Sequence, residues 1–167
     1  MGNLPFITKN NIMNNFDLRK YLAEGELLKE MDVNSYLKDF KGKQGLYIIT
    51  PKDKKVLKDI CDKLGYTYTS DIAYIGKAEL KKSTDLKKRA RQEMGYSNFE
   101  GATFVKKMGI YLDYDIKDKK NPILRTNTRE FIHNNFNIKC IPLEDNIQQT
   151  ETQYIQKYKP CLNNKKK

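Results

Sequence analysis

Apolar positions recur along this chain at two periods. In Gly45-Leu46-Tyr47-Ile48-Ile49-Thr50 they are β-branched or aromatic and bounded by Gly and Pro, which predicts a strand. Asp71-Ile72-Ala73-Tyr74-Ile75-Gly76 predicts a second strand, and Ile138-Lys139-Cys140-Ile141 a short third. Between the first two, Val56, Leu57, Ile60, Cys61 and Leu64 return at helical spacing, so the chain after Pro51 reads as a helix closed by Gly65. The other face of that helix is lysine: Lys52, Lys54, Lys55, Lys58 and Lys63. Further helices are predicted from Ser83 or Thr84 to about Met94, from Ala102 to Leu112, from Asn127 to about Phe136, and from Asp145 to about Tyr158. Pro160 forbids continuation of the last. Upstream, Ile12, Phe16, Tyr21 and Leu22, then Leu27, Leu28 and Met31, form two short stripes. Asp32 or Asn34 can cap a third piece bearing Tyr36, Leu37 and Phe40. Residues 1–44 therefore read as a helical N-terminal segment, 45–164 as one domain without internal repeat or linker, and 165–167 as a basic tail.

A length of 167 residues suits one compact domain with a single core. No run approaches the roughly 18 apolar residues of a membrane span. The opening Met1-Gly2-Asn3-Leu4-Pro5-Phe6 lacks a basic-then-apolar leader pattern, so no membrane partner is expected. Cys61, Cys140 and Cys161 are odd in number, widely spaced and without a C-x-x-C pair. They read as reduced thiols of a cytosol-like compartment (cytoplasm, nucleoid or nucleus) rather than of a secreted protein. Charge changes the picture more. With 32 Lys+Arg against 21 Asp+Glu the net charge is +11. That surplus fits a polyanionic partner, since cationic side chains release counterions from phosphates. Composition alone leaves a lysine-rich solvated surface as an equal reading.

The informative residue for chemistry is Glu151. At 100° per residue it falls in the stripe of Ile147, Tyr154, Ile155 and Tyr158 on the last helix. A carboxylate on a buried face is costly unless it is paired or binds a metal. Arg89 poses a similar question, lying near Leu86 and Ala90 on its helix while Arg91 points to the opposite side. Periodicity leaves three readings open: a structural Glu151–Arg89 pair, a Glu151 at the rim of the stripe, or a functional site. Alternation sends Tyr47 to the strand face opposite Leu46 and Ile48, and Tyr74 opposite Ala73 and Ile75. The single histidine, His133, has no acid at dyad spacing and reads as a surface or packing residue.

Taken together, these residues resemble the GIY-YIG nuclease family. The first motif reads Gly45-Leu46-Tyr47 and the second Tyr74-Ile75-Gly76. Lys77-Ala78 … Asp85-Leu86-Lys87-Lys88-Arg89 is similar to the family's K-A … L-K-K-R segment. Glu151-Thr152-Gln153-Tyr154-Ile155 and the finish Lys159-Pro160-Cys161-Leu162-Asn163 follow in the family's order. The resemblance spans most of the chain, and five short motifs in order are specific where each alone is weak. It implies an α+β fold, a small three-stranded antiparallel sheet flanked by helices, for residues 45–164. It also implies a metal-dependent DNA endonuclease that hydrolyses phosphodiester bonds with one divalent cation, Mg²⁺ or Mn²⁺. In that role Glu151 would hold the metal and Arg89 would grip the scissile phosphate. Tyr47 would act as general base or orient the attacking water, Tyr74 would hydrogen-bond within the site, and Asn163 would brace its edge. Lys77 would join the DNA contacts, with Lys54, Lys55 and Lys58 on the lysine face of the inserted helix.

The chain departs from the family pattern in three places. Residues 51–70 intervene between motifs that usually lie close together. Leu46 stands where the first motif carries Ile. One turn after the arginine, where many members carry His or Tyr, this chain has Glu93, which leaves proton handling open, with Tyr96 as a substitute. Two other function classes compete with the nuclease: a non-catalytic basic nucleic-acid-binding module on the same fold, and a structural pairing protein whose Glu and Arg form a bridge. No zinc-finger or helix-turn-helix pattern is present, so strong sequence specificity would have to come from residues 1–44, the insertion or a dimer on DNA.

Overall fold

The computed structural model describes residues 32–118 and 120–163. The apolar stripes from Ile12 to Met31 and the tail Lys165-Lys166-Lys167 lie outside the described residues. Three strands, β1 (Gly45–Pro51), β2 (Tyr74–Ala78) and β3 (Phe136–Pro142), form an antiparallel sheet in the order β2-β1-β3. Six helices surround it among the described residues: α1 (Val33–Leu37), α2 (Lys54–Leu64), α3 (Leu86–Glu93), α4 (Thr103–Tyr111), α5 (Pro122–Asn135) and α6 (Ile147–Tyr158). The α+β architecture is the one expected. No described helix is long and apolar enough to cross a membrane.

Alternation along the strands divides the interior in two. Leu46, Ile48, Ile75 and Ile141 face α6 and pack with Ile147, Tyr154 and Tyr158. Tyr47, Ile49, Ile138 and Cys140 face the other way, into the larger core built by α1 to α5. The predicted stripe of α2 docks there through Leu57, Ile60, Cys61 and Leu64, all buried. Gly65 closes α2 in the left-handed conformation at φ 80°, as a C′ glycine does.

Both sheet edges are occupied, as a stable edge requires. On the β3 side, the Cys140 N–H donates to the Tyr36 hydroxyl at 3.0 Å. Tyr36, Leu37 and Phe40 are themselves buried, so the chain from residue 33 onward belongs to the common core. On the β2 side, the segment after α6 runs back along the strand: Cys161 N–H donates to Ile72 C=O and Leu162 N–H to Ala73 C=O at 3.1 and 2.9 Å. Asn163 then grips Ile75 with its side chain, accepting from N–H and donating to C=O, each at 2.8 Å.

Several boundaries differ from the sequence pattern. β2 starts at Tyr74 rather than Asp71 and runs on to Ala78; just before it, the Ala73 N–H donates to Ile49 C=O while the carbonyls of Ile72 and Ala73 accept from the 161–162 segment. α3 is capped by Asp85, not Ser83 or Thr84: its side chain accepts from Lys88 N–H at 2.7 Å and from Gly42 N–H at 2.9 Å. α5 begins at Pro122, with Asn121 as cap, and not at Asn127; proline suits the first helical position, whose N–H needs no partner. α6 begins after Asn146, whose φ of 53° leaves its side chain out of any capping bond.

A side chain of β1 lies hard against the backbone of β2 at Tyr47. This residue pairs directly with Gly76, and a Cβ placed on Gly76 would stand 2.1 Å from Tyr47 Cζ. Tyr47 is buried, so its ring has nowhere to retreat. Gly76→Ala is expected to lower stability by about 1–3 kcal/mol, the usual range for overpacking a filled core. Thermal or urea unfolding measures it, and a midpoint equal to wild type would contradict the contact.

Candidate active site

Over β2 and the neighbouring part of β1 opens a cleft of about 470 Å³, walled by the two strands, α3 and one residue of α6. Strand alternation puts Tyr47 and Tyr74 on its floor, with ring centroids 6.2 Å apart. The α3 turn brings Arg89 and Gln92 to one wall, and α6 brings Glu151 to the other. Lys77 and Glu79 close the end where β2 runs out, and Lys82 and Lys88 stand at the rim. A separate hollow of about 340 Å³ beside the start of α5 carries Lys120 and Arg125 but no carboxylate.

The side chains in the cleft are held unequally. Arg89 donates through Nη1 to Gln92 Oε1 at 3.0 Å and through Nη2 to the Gly101 carbonyl. A further hydrogen-bond contact ties the guanidinium to the Tyr47 side chain, and the N–H groups left over line the cleft. Arg91, two residues on, leaves for the ring of Tyr96 at 5.0 Å, as helical phase requires. Lys77 is engaged by Glu79 at 2.5 Å and by Gln148. Glu79 is buried and also meets Lys81 at 3.2 Å; the hydrogen bond from Lys77 holds its carboxyl below the usual range against the burial that raises it.

Glu151 is different. Half-buried, it takes no hydrogen bond or ion pair from any described residue, and no bridge joins it to Arg89. Burial pushes its pKa up; Lys77 acts through space against that, and Glu79 with it. The expectation of a structural Glu151–Arg89 pair therefore fails.

Tyr47 and Glu93 form the most enclosed pair. The Tyr47 hydroxyl donates to Glu93 Oε2 at 2.9 Å, and Glu93 is fully buried. Its other oxygen, Oε1, accepts from the N–H groups of Phe104 and Val105 at 3.1 and 3.2 Å. These are first-turn amides of α4, whose own cap residue, Ala102, offers no side-chain acceptor. Burial, and then the Glu93 charge, raise the Tyr47 pKa well above that of a free phenol. Tyr74 is pushed up to about 12, again chiefly by burial.

Tyr47, Tyr74, Lys77, Arg89 and Glu151 thus come together from four separate stretches, and Asn163 lies behind them on the edge of β2. Lys54, Lys55 and Lys58 do not line the cleft. They stay on the solvent side of α2, where Lys54 pairs with Asp71 at 3.1 Å and Lys58 covers the Tyr68 ring. Tyr96 is also remote, clasped between Arg91 and Arg129 and packed edge-on against His133. His133 donates through Nε2 to the Met94 carbonyl at 3.2 Å and takes no part in the cleft. Sequence reasoning missed Glu79 and Gln92. Glu79 was within reach, because it follows β2 directly; Gln92 had only its helical phase with Arg89.

The GIY-YIG catalytic domain matches residues 45–167 of this chain. No curated protein and no solved structure matches it. With the two tyrosine motifs paired across β1 and β2, and with arginine and glutamate facing each other over them, the chain belongs to the GIY-YIG family and is an endonuclease, a hydrolase of nucleic-acid phosphodiester bonds.

Proposed function

We propose that the protein cleaves DNA with a single divalent cation held at Glu151. The observation that carries this reading is the Glu151 carboxylate, without a hydrogen-bond or ion-pair partner among the described residues, in a cleft that also holds Lys77, Lys82, Lys88 and Arg89. A phosphodiester drawn in by Lys82, Lys88 and Arg89 would be repelled by a bare carboxylate, whereas a cation lying between them reconciles the two anions. The donor set fits a hard ion. Among the described residues no group of three His, Cys, Asp or Glu exists. One free carboxylate beside solvent suits Mg²⁺, or Mn²⁺, which keeps most of its waters and takes few protein ligands.

When bound, such an ion supplies Lewis-acid stabilisation of charge on the phosphoryl oxygens. The chain's own residues do the rest. Arg89 is pre-oriented by Gln92 and Gly101 and offers its free N–H groups to the scissile phosphate as negative charge grows in the transition state. Tyr47 and Tyr74 present hydroxyls on the cleft floor to place the attacking water. Lys77 neutralises Glu79, so the second carboxylate adds little repulsion, and Asn163 fixes the edge of β2 on which Tyr74 rides. The net charge of +11 favours a duplex polyanion, and the family resemblance favours DNA. A non-catalytic binding module is the less economical reading, because pure binding gains nothing from an unpaired acid facing the phosphates.

Glu151→Gln is expected to abolish nicking of supercoiled plasmid in Mg²⁺ or Mn²⁺, by about 10²–10³-fold at least, while DNA affinity in Ca²⁺ survives. Full activity in this variant would refute the cation site. Arg89→Ala is expected to lose about 10²–10³-fold in turnover. Arg91→Ala, whose side chain packs on Tyr96 away from the cleft, should stay within a few-fold of wild type. Equal losses in the two arginine variants would place the phosphate elsewhere.

A further inference from the structure

Tyr47 is badly placed to act as a base by itself. To accept a proton as a free tyrosinate it would first have to ionise next to the Glu93 carboxylate, in a site that burial already makes hostile to charge. The geometry offers another route. The Tyr47 hydroxyl already points its proton at Glu93 Oε2, so the lone pairs of Oη are left for the Arg89 guanidinium and for a water on the cleft side. Glu93 Oε1 is saturated by two amide donors, so Oε2 has Tyr47 as its one hydrogen-bond donor among the described residues.

Resting on the nuclease reading above, we propose that Glu93 is the terminal proton acceptor of a two-step relay through Tyr47. As water attacks phosphorus, its proton passes to Tyr47 Oη while the original Tyr47 proton passes to Glu93 Oε2. Tyr47 stays neutral throughout. The new P–O bond forms from the water oxygen; the leaving oxygen departs with the electron pair of the broken P–O bond and takes a proton from solvent. After product release the Glu93 proton returns through Tyr47 to solvent. Glu93 thus acts through Tyr47, as a positioning residue and acceptor, in the place where many relatives carry His or Tyr.

Glu93 is suited to this by what surrounds it. Arg89 from its own helix and the α4 amides favour its ionised form, while burial favours the neutral one and prevails in raising its pKa. Tyr47 from β1 and Tyr74 from β2 are the other titratable groups facing it. A carboxyl raised from its usual range toward neutrality is a better match for general-base work than an exposed one.

The rival explanation is that Glu93 only caps α4. Glu93→Gln separates the two. Its amide oxygen can still accept from Phe104 and Val105, but its NH₂ then faces Tyr47 and cannot take a proton. Nicking by the full chain at saturating plasmid in Mg²⁺ is followed from pH 6 to 9, with melting temperature and DNA affinity in Ca²⁺ alongside. The relay predicts unchanged melting and affinity. It also predicts a turnover loss of about 10²–10⁴-fold near pH 7, with a residual rate that climbs about tenfold per pH unit where wild type is flat. The Glu93→Gln, Tyr47→Phe double variant should lose no more than either single one, since the two act as a unit. Wild-type turnover in Glu93→Gln, or a loss equal at every pH, overturns the relay. Wild-type rates in H₂O–D₂O mixtures test it without any variant: a curved dependence reports two protons in flight, and a linear one overturns it. If wild type fails to nick with Mg²⁺ or Mn²⁺ at all, the nuclease reading falls, and the relay with it.

Discussion

An aromatic ring can lie across a neighbouring strand only where that strand has no side chain at the crossing. Gly76 supplies this gap for Tyr47, and most of the cleft depends on it. With the ring flat against β2, its hydroxyl reaches past the strand to Glu93 instead of standing up into the core. Glu93 in turn holds the first turn of α4, and α4 packs on α2, α3 and α5. One backbone-to-ring contact in the sheet is thereby coupled to the placement of four helices. Gly45 serves β1 in a similar way: a Cβ there would stand 2.0 Å from the Ile141 carbonyl, so the strand that carries Tyr47 can lie close to β3.

The charges in the cleft form a graded set. Glu79 is neutralised by two lysines, Glu93 is enclosed and satisfied on both oxygens, and Glu151 is left open. Carboxylates of one chemical kind are thus pushed in opposite directions, Glu79 down and Glu93 and Glu151 up, by burial and partners rather than by residue type. Arg89 is likewise half committed, tied at one side to Gln92 and Gly101 and open at the other.

What the sequence made legible was local. The β-branched run at 45–50 and the α2 stripe stand almost where their patterns put them, and Tyr47, Tyr74, Arg89 and Glu151 converge as their motif order implies. Long-range competition decided the rest. Ile72 and Ala73 read as strand, yet their carbonyls are held by the chain about ninety residues on, and regular pairing with β1 starts only at Tyr74. Asn121-Pro122 looks like loop chemistry until proline is seen at the one helical position that tolerates it. Asp85 outcompetes Ser83 and Thr84 as a cap because it also holds Gly42, a contact invisible to any short window. Glu93 is visible in the sequence as a departure from its family, but its meaning rests on the amides of α4, brought to it by a turn that no periodicity describes.

The arrangement of the β2 edge has a temporal side. Tyr47, Tyr74 and Arg89 emerge early in synthesis, but the sheet closes only when residues 136–142 pair with β1, and Glu151 and Asn163 follow later still. A growing chain on the ribosome therefore carries Arg89 long before it has either Glu151 on the wall opposite or the side-chain clamp on β2. The walls of the cleft are thus complete only once α6 has been made.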